Sequence, residues 1–266
     1  MPKTDGGDLV ARSLRHEGAR HIFALSGDNI QAIFDACLDE DIRIIDTRHE
    51  QAAVHMADGW ARVTGEPGVA VVTAGPGVVD AVPGMATAYQ AASPVVLVAG
   101  RVPFRDFESG FGFDFDQVAL MRPVTKWAAT CYDAARIPEY INSAFRHARS
   151  GRPGPVFLDI PTGVMENAVE GEVMAFSANP SATARSVADS SQLKMAVEML
   201  SRAERPLVIA GSGVWWSGAG EALRRFIEAT QVPLLLSMMG RGAVPENHPL
   251  AVGVIPRAAE LVRDPN

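Results

Sequence analysis

Two periodicities alternate along the chain. Apolar side chains recur three and four residues apart over 8–17, where Leu9, Val10 and Leu14 share one face before Gly18, and the same spacing returns at Ile30, Ile33, Phe34 and Cys37. Between and after these stretches stand short apolar runs at 21–25, 42–45, 69–73, 95–99 and 156–160, the pattern of strands buried in a parallel sheet. Helical spacing predicts further helices over 50–64, closed by Gly65, and over 80–92, with Pro83 tolerated in a first turn and Pro94 as the stop. A short helical piece ending near Arg122-Pro123 and a strand over 126–130 precede a long amphipathic helix carrying Ile137, Tyr140, Ile141, Ala144, Phe145 and Ala148. This alternation predicts an α/β fold: a doubly wound, mostly parallel sheet with right-handed crossovers.

The alternation stops near Thr162. Residues 163–190 are small, polar and weakly periodic, which predicts a linker. It resumes with a helix over 192–200, a strand over 207–210, a helix over 221–230 and a strand over 233–236. Two strands and their helices make about half of an ordinary doubly wound domain. The expected organisation is a first domain over 1–162, a linker over 163–190 and an incomplete second Rossmann-like α/β unit over 191–266.

Composition narrows the partners. The 266 residues are 47% hydrophobic and 21% charged, with a net charge of −7 and no Lys/Arg-rich run, so a phosphate-backbone footprint is missing and nucleic acid is not expected. The apolar runs are strand-sized and too short for a bilayer. The first seven residues lack the apolar core of a signal peptide, and Cys37 and Cys131 stand too far apart for a disulfide framework, so a cytoplasmic setting is expected.

Candidate chemistry begins at Arg48-His49-Glu50-Gln51. Glu50 follows the strand at 42–45, and the carboxyl ends of strands are where open α/β sheets bind ligands. The competing reading is a helix-start glutamate favoured by the helix dipole. Gly75-Pro76-Gly77 begins like a dinucleotide fingerprint, but Asp80 replaces its third glycine and Pro76 removes an amide that a phosphate cradle would use. Gly211-Ser212-Gly213 reads as a tight turn. His49 and His55 are too far apart to share a helix face as zinc ligands, and the other histidines are scattered, so no metal site is expected. Arg101 and Arg105 could meet an anionic substrate, but loop arginines are more often surface or interface groups.

Several of these segments carry a resemblance. Arg48-His49-Glu50-Gln51, Ala57-Asp58-Gly59-Trp60-Ala61-Arg62 and Gly75-Pro76-Gly77 resemble the pyrimidine-binding domain of thiamine diphosphate enzymes. So do Asp116-Gln117-Val118-Ala119-Leu120, Pro123-Val124-Thr125-Lys126-Trp127, Gly151-Arg152-Pro153-Gly154-Pro155 and Asp159-Ile160-Pro161. Their order and spacing are similar to the acetohydroxyacid synthase and 2-hydroxyacyl-CoA lyase branch. Arg205-Pro206, Met239-Gly240-Arg241-Gly242, Pro245 and His248-Pro249 resemble the start of that family's central domain.

The resemblance implies roles. Glu50 matches the glutamate that hydrogen-bonds N1′ of the aminopyrimidine, favouring the tautomer whose exocyclic nitrogen takes the proton from C2 of the thiazolium. Gly75, Pro76 and Gly77 match the loop against the pyrimidine, and Gly27, Asp28 and Asn29 the loop that approaches the reaction centre. Phe113 stands where the family commonly has a glutamine, so a donor on the substrate side is replaced by an apolar ring. The motif that holds Mg²⁺ and the cofactor's diphosphate is not in the chain. A partner subunit with the diphosphate-binding domain is therefore expected to hold them, with self-association through the pyrimidine domains. The function implied is the pyrimidine-domain subunit of a split carboligase, lyase or decarboxylase acting on 2-oxo acids or 2-hydroxyacyl-CoA. Alternatives are a non-catalytic interaction or regulatory relative, a truncated piece of a full-length acetolactate synthase-like enzyme, and a dinucleotide-binding dehydrogenase.

Overall fold

The computed structural model describes residues 4–110, 112–169, 173–176 and 187–255. The chain divides into two compact units, residues 1–183 and 184–266. In the first, the elements follow the alternation of the sequence: α1 (Gly6–His16), β1 (His21–Ala24), α2 (Gln31–Asp39), β2 (Arg43–Asp46), α3 (Glu50–Thr64) and β3 (Gly68–Val72). Then come α4 (Pro76–Ala91), β4 (Val95–Arg101), α5 (Gln117–Met121), β5 (Trp127–Thr130), α6 (Ile137–Arg149), β6 (Val156–Pro161) and α7 (Thr162–Glu166). Among the described residues these strands form a six-stranded sheet in the order β2-β1-β3-β4-β6-β5, parallel at every pairing. The α/β class and the parallel sheet expected from the sequence are both present.

The apolar runs explain this order. Every residue of β3 and β6 is buried, whereas β2 and β5, at the two edges, are only partly covered. Because side chains alternate across a strand, the sheet sorts its residues into two layers. Val69, Val71, Val96 and Val98 face α1, α2 and α6, while Ala70, Val72, Leu97 and Phe157 face α3 and α4.

Two local predictions are corrected. Helix α4 starts at Pro76 rather than at residue 80, because the Gly75 carbonyl accepts the first helical bonds from Val78 and Val79 and Pro76 fits the first helical position, where its N–H is not missed. Pro83 therefore lies in the second turn and leaves the Val79 carbonyl without its usual helical donor. The stretch expected to open the linker is helical instead: in α7 Val164 and Met165 are buried against the first unit's core.

The second unit contains α8 (Ser190–Ser201), β7 (Val208–Ala210), α9 (Ser212–Trp216), α10 (Gly220–Thr230), β8 (Leu234–Leu236) and β9 (Ala251–Val254). Its described strands form a three-stranded parallel sheet in the order β7-β8-β9. Strand β9 and helix α9 are additions to the sequence reading. The core is small, built on Ala210, Ile227, Leu234, Leu236 and Val244, and no residue of α8 is buried. Among the described residues of the whole chain, no helix is long and apolar enough to cross a membrane.

Helix α3 packs so tightly on β3 that Gly68 faces the Ala57 carbonyl, and an added Cβ would lie 2.0 Å from that oxygen. Gly59, also on α3, has nothing within 4 Å of an added Cβ. Gly68→Ala should therefore destabilise the chain by about 1–3 kcal/mol in urea unfolding, whereas Gly59→Ala should stabilise it by about 0.5–1 kcal/mol.

Candidate functional site

The chain leaves β1 for β2 on one side and returns to β3 on the other, so the sheet has a switch point between β1 and β3. Loops that leave neighbouring strands in opposite directions open a crevice there, outside the carboxyl ends. Three loops meet at this edge, and their small residues let them close on one another. A Cβ at Gly27, after β1, would lie 2.5 Å from the Thr73 Cβ, after β3.

Asn29 joins the strand ends. Its Nδ2 donates to Thr162 Oγ1 at 2.8 Å, its Oδ1 accepts from Thr73 Oγ1 at 3.3 Å, and its Cβ sits where a side chain on Gly100 would be, 2.5 Å away. Of the three residues expected near the reaction centre, Asn29 is thus committed to holding the scaffold. Asp28 is exposed, and Gly27 provides the close approach.

Glu50 opens α3 beyond the end of β2. The link is pinned to β1 because Thr47 N donates to the Ala24 carbonyl at 2.9 Å, and His49 caps the helix by accepting the Gln51 N–H on its Nδ1 at 3.2 Å. The Glu50 side chain is directed inward and is only 7% exposed. It faces the start of α4: a Cβ on Gly77 would lie 3.3 Å from Glu50 Oε1 and 3.0 Å from Thr73 Cγ2. Among the described residues its carboxylate makes no side-chain hydrogen bond or ion pair. His49 and Asp80 stand beside it, with His49 Nε2 4.0 Å from Asp80 Oδ2 and one possible ligand atom from each of the three within 4.8 Å of the others. His55 lies outside this group and meets Gln51 instead, at 3.2 Å.

Gly75 has φ 65° and ψ −112°, a backbone geometry reserved for glycine, and its missing side chain is occupied by Phe113, whose Cβ would be 2.4 Å from one. Phe113 itself has a positive φ of 76° and is 62% exposed. A bulky residue in that region is strained, and such strain concentrates at functional sites. The structure therefore brings Glu50, Gly75, Pro76, Gly77 and Phe113 to one edge, beside the Gly27 loop.

Sequence reasoning missed a polar cluster beneath this edge. Gln117, Asp159 and Arg101 lie at the start of α5 and at the ends of β6 and β4. Arg101 is not the surface group expected: its side chain is 13% exposed, 3.8 Å from Asp159 Oδ2, with its guanidinium 4.2 Å above the Phe107 ring. Arg105, by contrast, is exposed. Burial pushes the Asp159 carboxyl above the usual aspartate range, against the opposing pull of Thr130, Gln117 and Arg101. The signal available in the sequence was a charged residue at the end of each of two otherwise apolar strands. Cys37 and Cys131 are buried and their thiols pushed up to about 12, which removes them as nucleophiles.

Comparison with known proteins gives the family. Residues 4–120 match the N-terminal TPP binding domain of thiamine pyrophosphate enzymes, and residues 193–263 match the central domain of the same enzymes. The chain belongs to the thiamine pyrophosphate enzymes, as their N-terminal region. Within them it is similar to acetolactate synthase large subunits. It is 39% identical over 253 residues to a probable acetolactate synthase large subunit of Methanocaldococcus jannaschii, an alignment covering 94% of this chain and 43% of the relative. It is 37% identical over 268 residues to the acetolactate synthase isozyme 3 large subunit of Escherichia coli, covering 96% and 45%. The acetolactate synthase large subunit of Lactococcus lactis is 36% identical over 254 residues, covering 94% and 44%. The chain thus spans less than half the length of these relatives.

The raised Asp159 pKa has a testable sign. In the folded chain Asp159 binds its proton more tightly than in the unfolded chain, so its contribution favours folding at low pH and is lost as pH rises from the ordinary 3.8 through the raised value. Asp159→Asn cannot ionise. In urea unfolding from about pH 4 to about pH 8, the native chain should lose stability relative to this variant as pH rises.

Proposed function

We propose that this chain supplies the pyrimidine-binding half of a thiamine diphosphate-dependent carboligase, lyase or decarboxylase of the acetolactate synthase type, acting on 2-oxo acids or a 2-hydroxyacyl-CoA. The observation that carries the reading is Glu50, a buried carboxylate with no side-chain partner among the described residues, facing the bare Gly77. That carboxyl is left open to a ligand, and the flat edge of an aminopyrimidine, whose N1′ can share a proton with it, fits a site floored by glycine.

Thiamine diphosphate, when bound, supplies the carbon nucleophile that attacks a substrate carbonyl. The chain's own residues act on the pyrimidine side. Glu50 holds a proton between its carboxyl oxygen and the ring nitrogen N1′, in a site dry enough to strengthen that hydrogen bond. Gly75 and Gly77 keep side chains out of the ring's way, and the Gly27 loop closes the crevice beside it. Phe113 presents an apolar ring on the substrate side.

In this reading the diphosphate and its Mg²⁺ are held by the diphosphate-binding domain of a partner subunit, in a cytoplasmic complex in which the pyrimidine domains also pair with each other. A second reading keeps the chemistry and places that domain further along one longer polypeptide. The chain's span of 43% of its M. jannaschii relative favours it.

The chain should turn over 2-oxo acids only when mixed with a diphosphate-domain chain, and Glu50→Gln should lower kcat of the mixture about 10²–10⁴-fold with the melting temperature unchanged. Turnover by the chain alone, or an unaffected Glu50→Gln complex, would refute the proposal.

A further inference from the structure

Gln117 is 1% exposed and uses both ends of its amide. Oε1 accepts the Gly75 N–H at 2.8 Å, and Nε2 donates to the Gly100 carbonyl and to Asp159 Oδ2, both at 3.1 Å. The amide has a single workable orientation, since the Gly75 N–H can only donate and the Gly100 carbonyl can only accept. One side chain therefore ties the ends of β4 and β6 to the loop after β3.

We propose that Gln117 is a positioning residue for the ligand of this edge. By holding the Gly75 N–H it fixes the Ala74–Gly75 peptide plane, the one just before the turn into Pro76 and Gly77, and so bears on the gap between Gly77 and Glu50. The Gly75 carbonyl, on the other side of the same residue, accepts the first bonds of α4 from Val78 and Val79. A turn of this residue would thus move the whole start of the helix. Asp159 sets the amide in turn: its Oδ2 holds Nε2, and Arg101 stands 3.8 Å from the same oxygen. The identity of the ligand as an aminopyrimidine rests on the reading given under Proposed function, whereas the control of Gly75 does not.

The test uses the full ¹⁵N-labelled chain. Amide hydrogen exchange is followed at Gly75, with Leu97 in the middle of β4 as reference, and 4-amino-5-hydroxymethyl-2-methylpyrimidine is titrated by chemical shift. Gln117→Leu removes all three hydrogen bonds without adding charge. It should speed Gly75 exchange and weaken pyrimidine binding by about tenfold each, the effect of one lost buried hydrogen bond, with Leu97 unchanged.

Gln117→Glu, while its carboxyl is protonated, still accepts the Gly75 N–H and donates its single O–H to either the Gly100 carbonyl or Asp159 Oδ2. Once ionised it faces Asp159 from β6, with Arg101 from β4 and Asp116 beside it as the other charged groups there. Burial and the neighbouring Asp159 raise the introduced carboxyl above the ordinary glutamate range, so the variant should keep Gly75 protection and pyrimidine affinity near about pH 5 and lose both near about pH 8. If the leucine variant does not fold, this pair of pH values on one protein decides. Gly75 exchange that is unmoved by either variant, or that moves only together with Leu97, overturns the proposal. A native chain that takes up no pyrimidine while Gly75 responds as expected supports control of the loop and overturns the cofactor reading alone.

Discussion

A parallel sheet ends all its strands at the same edge, and the loops that leave that edge have to pass one another without side chains in the way. In the first unit this constraint is met by closeness. Gly27 lies against Thr73, Gly100 against Asn29, and Gly75 under Phe113, each at a distance no Cβ would allow. The polar side chains that remain there hydrogen-bond across the strand ends: Asn29 to Thr73 and Thr162, Gln117 to Gly75, Gly100 and Asp159. Glu50 differs from these side chains. It is buried at the same edge, and no hydrogen bond uses its carboxylate among the described residues. A site made this way is preorganised by its surroundings, with the Glu50 carboxylate left for a ligand.

What the sequence made legible follows from the range of the interactions. Strands buried on both faces are continuous apolar runs, so β3, β4 and β6 were readable from a few neighbouring residues, as was the stop of α3 at Gly65. Glu50 was readable too, because its position depends on a strand immediately before it and a helix immediately after. The start of α4 was not, because Gly75-Pro76-Gly77 has the composition of a loop, and the Gly75 backbone ahead of Pro76 is held by a residue remote in sequence. That holding comes from Gln117, forty-two residues away in sequence. Strand β9 was hidden for a different reason: half-covered, with Gly253 inside it, it lacks the apolar continuity that marks its neighbours.

The two units differ in how far burial has gone. The first has two apolar layers, one on each face of its sheet, whereas the second has one small cluster and an α8 with no buried residue. Leu193, Met195, Val197 and Met199 of that helix are exposed, as is Ile209 on β7.

The Arg101–Asp159 pair shows why this edge is more than a stable end to a sheet. Two charges taken out of water cost more than their attraction returns unless the remaining donors and acceptors are satisfied. Here they are not: Arg101 Nε and Asp159 Oδ1 are buried without a hydrogen bond, and the closest approach is 3.8 Å. Apolar residues at both positions would pack the strand ends at lower cost. They would also leave Nε2 of Gln117 with only the Gly100 carbonyl, and the amide that holds Gly75 free to tilt. The incompletely satisfied pair therefore trades stability for orientation, and what it orients is the loop that faces Glu50.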